Sequence, residues 1–178
     1  MKHGVYVREQ KTSVSTPVVA ESGVPFVVGT APVHSAESPA ALFTPVLCTD
    51  WEDAVKKLGY SDDWKTYTIC EVMYSHFKLF QRQPIIFCNV LDPSTNKEAV
   101  AGAEVTLSGK QAKLPFDAIL SSLVVKTASS SESPLVKDTD YAAYYSDGNL
   151  IVETIEDGAA KDATKLFISY DKVKTTEI

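Results

Sequence analysis

The stretch from Thr68 to Leu91 constrains the fold of this chain more than any other. Ile69, Val72, Met73, His76, Phe77 and Phe80 fall at i, i+3, i+4, i+7, i+8 and i+11, the repeat that gives a helix one apolar face. Gln81-Arg82-Gln83-Pro84 ends that helix, because the residue before a proline is pushed out of the helical region. Ile85-Ile86-Phe87-Cys88-Asn89-Val90-Leu91 follows at once with the length and composition of a strand. Upstream, Val24-Pro25-Phe26-Val27-Val28-Gly29-Thr30-Ala31 is nearly continuous apolar, the pattern of a strand covered on both faces. A crossover of this length normally leaves its second strand parallel to its first, so residues 25–91 predict a small α/β layer with parallel neighbours.

Between the two strands, Pro32, Pro39 and Pro45 make residues 32–48 a loop with short extended pieces. Thr49-Asp50-Trp51-Glu52 has the spacing of a capping box, and Ala54, Val55 and Leu58 give the helix after it an apolar face. Gly59 is its stop signal. Thr68 and Glu71 have the same box spacing at the head of the second helix.

The texture changes at Asp92-Pro93-Ser94-Thr95-Asn96, a turn cluster and the expected boundary between two regions. Short strands separated by turns follow. They are expected at Glu104–Leu107, Leu120–Val125, Tyr141–Tyr145, Leu150–Ile155 and Leu166–Tyr170, with a turn at Ser108-Gly109-Lys110 and a serine-rich loop at 129–134. Ser146-Asp147-Gly148-Asn149 between two β-rich runs is a strong hairpin signal. Five such strands predict an antiparallel sandwich or barrel over 92–170. Residues 1–24 read differently again. They are polar and β-branched without helical period, an extended arm too short to bury a core of its own and in need of a partner surface.

Charge excludes some functions. The net charge is −6 and the pI about 5.1, without the basic face that nucleic-acid binding requires, so no nucleic-acid partner is expected. Residues 1–90 carry 8 Lys/Arg against 9 Asp/Glu, whereas 91–178 carry 9 Lys against 14 Asp/Glu and no Arg, so the acidity belongs mostly to the second half. The apolar runs fall far short of the ~20 residues of a membrane helix, and Met1-Lys2-His3-Gly4-Val5 lacks the apolar core of a signal peptide. The expected setting is a cytoplasm, with no membrane partner.

The chemistry-bearing motifs are missing. The sequence contains no H-E-x-x-H, G-x-S-x-G, Walker loop or G-x-G-x-x-G. His3, His34 and His76 fall in separate segments, and His76 reads as a half-buried histidine with one hydrogen bond. Cys48, Cys70 and Cys88 have neither disulfide-framework nor zinc spacing and read as buried reduced thiols. Asp62-Asp63 and Glu156-Asp157 read as solvated turn carboxylates, and the tyrosines of 141–145 as strand residues in preference to a sugar-stacking platform. No catalytic residue, metal ligand or cofactor is expected, and the chain is read as a non-enzyme.

The opening is the most specific feature. His3-Gly4-Val5-Tyr6-Val7-Arg8-Glu9, then Thr12-Ser13-Val14-Ser15-Thr16-Pro17-Val18, then Ser22-Gly23-Val24-Pro25-Phe26-Val27-Val28-Gly29-Thr30-Ala31-Pro32-Val33-His34, closely resembles the N-terminus of phage tail sheath proteins of contractile, myovirus-like tails and prophage particles. The likeness is close over about the first 48 residues, looser to Leu91, and weaker over 92–170. Ser169-Tyr170-Asp171-Lys172-Val173 resembles the exit from the variable, outward-facing β domain that the family inserts. The resemblance implies an α+β fold: an extended N-terminal arm over 1–24, part of the α/β sheath core over 25–91, an inserted β domain over 92–170 and an exit linker over 171–178. It also implies that the chain is the front part of a longer protein.

The resemblance further implies a structural subunit that forms stacked six-fold rings around an inner tail tube and contracts to drive that tube into the host. Its implied partners are other sheath subunits, the tube, the baseplate and the tail terminator, and its implied place is the virion tail. Terminal arms in such assemblies add strands to neighbouring subunits, so that main-chain hydrogen bonds hold the mesh. Gly4, Val5, Tyr6, Val7, Val14, Val18 and Val19 are the inter-subunit arm residues carried over on that basis. The alternative from a different class is a surface-exposed β module that binds a host glycan or protein.

Overall fold

The computed structural model describes residues 23–130 and 133–174. It is a mixed α/β chain built from three small sheets and two helices. The first sheet holds β1 (Phe26–Gly29), β2 (Val46–Cys48) and β3 (Ile85–Asn89) in the order β1-β3-β2. β1 and β3 are parallel, as the helical crossover between them requires, and β2 joins the other side of β3 antiparallel.

Helix α1 (Trp51–Leu58) starts one residue later than the Thr49–Glu52 box expected. Its cap is Asp50, whose Oδ1 accepts the Asp53 N–H at 2.8 Å, while Asp53 Oδ2 reaches back to the Thr49 N–H at 3.2 Å. An aspartate does both jobs because its short carboxylate reaches an N–H three residues on and also favours the positive end of the helix. Asp50→Ala should therefore lower stability by about 1 kcal/mol in urea unfolding. Helix α2 (Thr68–Met73) likewise begins without the expected Thr68–Glu71 box; its cap position is Tyr67, which makes no capping bond. Thr68 instead accepts the Thr30 N–H at 3.1 Å, tying the helix head to the end of β1. After Met73 the helix widens into a π-helical segment (Tyr74–Leu79). The widening moves its last apolar residues off the core face: Ile69, Met73 and Phe77 are buried, but Phe80 is 69% exposed.

The described residues of the second half form two antiparallel three-stranded sheets and no closed barrel. One contains β4 (Lys97–Thr106), β6 (Val124–Lys126) and β9 (Lys165–Val173) in the order β4-β9-β6. The other contains β5 (Gln111–Pro115), β7 (Tyr141–Ser146) and β8 (Asn149–Thr154) in the order β5-β8-β7. Both contribute to one core, which includes Leu114, Val125, Leu150, Val152, Leu166 and Ile168. The hairpin forms where expected: Asp147 and Gly148 both take positive φ (48° and 67°) between the paired Ser146 and Asn149, as a primed two-residue turn demands.

Three expectations fail here. The strand expected at 120–125 is divided, with a 3-10 turn at Leu120–Ser122 and a strand only from Val124. Strand β5 was not foreseen, because Gln-Ala-Lys-Leu-Pro carries only two apolar residues inside its alternation. The stretch 171–178 does not begin as a linker, since β9 runs to Val173 and pairs Asp171–Val173 with Lys97–Ala99. A third, smaller cluster joins the two halves: Tyr67, Cys70 and Leu91 pack with Val173, and Trp64, Phe116 and Ile119 close around them.

Candidate functional site

The arm residues expected to act, Gly4, Val5, Tyr6, Val7, Val14, Val18 and Val19, lie outside the described residues. What the structure does show is the first sheet, whose β1 lies at the start of the described residues. In the first sheet, Val27, Phe87 and Val46 stand in register across the three strands and point into the core under the helices. The alternate residues form the opposite face: Phe26, Ile86 and Leu47 in one row, Val28 and Cys88 in the next. That face is open. Phe26 is 54% exposed, Val28 57% and Leu47 48%.

This overturns the expectation that β1 is covered on both faces. Its run of apolar residues is that of a doubly buried strand, yet within the described residues helices cover only one side. Nor does any described strand pair with the outer edge of β1. An apolar sheet face beside a free strand edge is a surface that recruits another chain segment.

The other candidates resolve as structural features. Cys48, Cys70 and Cys88 are all buried and unbridged, and burial pushes the Cys48 and Cys70 thiols up to about 11, so at neutral pH they stay protonated and unreactive. Among the described residues no group of histidine, cysteine and carboxylate side chains could hold a metal ion. No helix among the described residues is long and apolar enough to cross a membrane. His76 is half-buried as expected, but its Nδ1 is enclosed without the expected hydrogen bond. Two tyrosine hydroxyls of β7 are engaged within the fold: Tyr144 donates to Glu153 at 2.8 Å and Tyr145 to the Ala118 carbonyl at 2.7 Å.

Two constellations escaped sequence reasoning. The first is Asn89, 2% exposed at the end of β3. Its Oδ1 accepts the Ala31 N–H at 2.9 Å and the Leu91 N–H at 3.1 Å, and its Nδ2 donates to the Leu91 carbonyl at 2.9 Å. The polar residue inside the run Ile85–Leu91 was the available signal. The second is the junction between the halves, centred on His34, whose ring lies 5.4 Å from Phe116, 5.9 Å from Tyr145 and 6.1 Å from Tyr67. Its Nε2 lies 3.1 Å from the Phe116 carbonyl oxygen. A carbonyl only accepts, so Nε2 carries the proton and donates. Nothing local in the sequence joins His34 to a residue 82 positions on.

Comparison with known family models, with curated proteins and with solved structures finds no match for this chain.

Proposed function

We propose that this chain is a structural, non-enzymatic subunit of a contractile phage tail sheath. In this reading copies stack as six-fold rings around an inner tube in the virion tail, with the baseplate and tail terminator as end partners. The observation that carries it is the exposed apolar face of the first sheet beside the edge of β1 that no described strand pairs with, read with the sheath-like string over residues 3–34. Within the described residues this layer is covered on one side only, and an apolar face left open in that way invites a further chain segment. The proposed role of Gly4, Val5, Tyr6, Val7, Val14, Val18 and Val19 is to link neighbouring copies by strand addition. The two antiparallel sheets are read as the layers of an inserted sandwich that decorates the outside of the tube.

Two measurements test this. Deleting residues 1–20 from the full-length protein should abolish the tube-like polymers that electron microscopy would otherwise show, and polymers that persist unchanged overturn the arm assignment. Val28→Asp places a charge on the open face at a half-exposed position. It should leave folding within about 1 kcal/mol of the parent, as exposed substitutions do, while lowering association in sedimentation by at least tenfold. Unchanged association would remove this face from the assembly.

A further inference from the structure

His34 sits in a 3-10 turn (Val33–Ser35) of the first half, and its ring is inserted into the second. Three elements pack against it, and each brings a titratable group: Tyr67 from the segment before α2, Asp117 from the loop after β5, and Tyr145 from β7. Tyr67 is itself committed, donating its hydroxyl to Asp117 Oδ1 at 2.8 Å. Burial, with Asp117 alongside, pushes the Tyr67 hydroxyl up, and burial pushes that of Tyr145 up to about 12, so both stay protonated across the physiological range. Asp117 therefore faces His34 with one carboxylate oxygen already used.

The second ring nitrogen is the weak point. With Nε2 donating to the Phe116 carbonyl, Nδ1 carries a bare lone pair, and it is buried without a hydrogen-bond partner. Protonation happens at that atom, and the new N–H would find no acceptor within hydrogen-bond distance among the side chains around the ring. A cleft of about 740 Å³ opens beside the ring, lined by Glu37, Pro93, Leu120, Tyr144 and Tyr145, which gives water a path to it and the ring a place to move.

We propose that His34 is an acid-sensitive latch: protonation of Nδ1 withdraws the ring from its aromatic seat and frees the two halves to move relative to each other. Burial holds the imidazole below its ordinary value, against the smaller opposing effects of the Phe116 carbonyl and Asp117. The sign follows. A histidine whose folded value lies below its unfolded value of about 6.5 contributes its full stabilisation above that pH. The contribution is lost as pH falls toward the folded value. The latch is closed at neutral pH and opens in acid.

Residual dipolar couplings on the whole chain, with the His34 ring titrated by NMR in the same samples, test it. At pH 7.5 both halves should share one alignment tensor. Below the His34 midpoint they should need two, with a transition that coincides with the His34 titration. His34→Gln keeps a neutral N–H donor within reach of Phe116, so it should hold one tensor across the same pH range, while His76→Gln should behave as the parent. A single tensor in the parent once its His34 ring is protonated, or the same splitting in His34→Gln, overturns the proposal. If His34→Gln does not fold, coincidence of the two parent midpoints supports the latch and their separation overturns it.

Discussion

Asn89→Leu should cost the chain on the order of 3–5 kcal/mol of folding stability, read as a shift of the urea midpoint at unchanged slope. The side chains are close in size, so the loss comes from hydrogen bonding and not from a cavity. Leucine leaves the Ala31 N–H, the Leu91 N–H and the Leu91 carbonyl without their partner. Each buried group so orphaned costs about 1–3 kcal/mol, because water cannot replace the lost bond. Domains of this size are stable by about 5–15 kcal/mol in total, so one residue decides a large part of the whole. Asn89 joins the exit of β1 to the start of the passage into the second half, where Leu91 enters the cluster with Tyr67, Cys70 and Val173. Hydrogen exchange should accordingly speed up at Ala31 and Leu91 together. A loss under about 1 kcal/mol would mean that these groups find other partners.

The parts of the fold that were legible in the sequence are those specified by near neighbours. Asp147-Gly148 turns because both residues accept positive φ, and the flanking β-rich runs pair outward from it. The apolar run at 85–91 becomes β3, and the helix before it returns the chain parallel to β1. What stayed hidden depends on partners far along the chain. Phe26 and Val28 look like core residues, and only their exposure in the folded chain shows that nothing within the described residues covers their face. The helical repeat through Phe80 is genuine as a pattern, but the π-helical widening after Met73 rotates its end out of register. His34 and Asn89 were invisible as a junction and a clasp because their roles are made by Phe116 and Ala31, 82 and 58 residues away. The same separation explains why the candidate surface emerged as a sheet face and not as a motif.

Gly59→Ala should destabilise the chain by roughly 3 kcal/mol or more, the cost of forcing a side chain into a conformation and a space that both exclude it. Gly59 ends α1, giving its N–H to the Val55 carbonyl at 2.8 Å, with φ 73° and ψ 176°. That combination belongs almost wholly to glycine. Space makes matters worse. A Cβ there would run into the Pro32 carbonyl oxygen and stand 2.5 Å from Ser35 Oγ, and the obstruction at Pro32 is backbone, which no rotamer change relieves. Pro32 and Ser35 bracket the turn that carries His34, and Ser35 Oγ itself donates to the Pro32 carbonyl at 2.8 Å. The strain should therefore travel. Gly59→Ala should shift the NMR signals of His34 and Phe116 as well as those of α1, and at neutral pH it should already loosen the junction that acid loosens in the parent. Gly59→Ser, with the same Cβ, should do the same. If either variant folds with the stability of the parent, then α1 and the His34 turn are not rigidly joined, and the latch would have to work without support from the helix behind it.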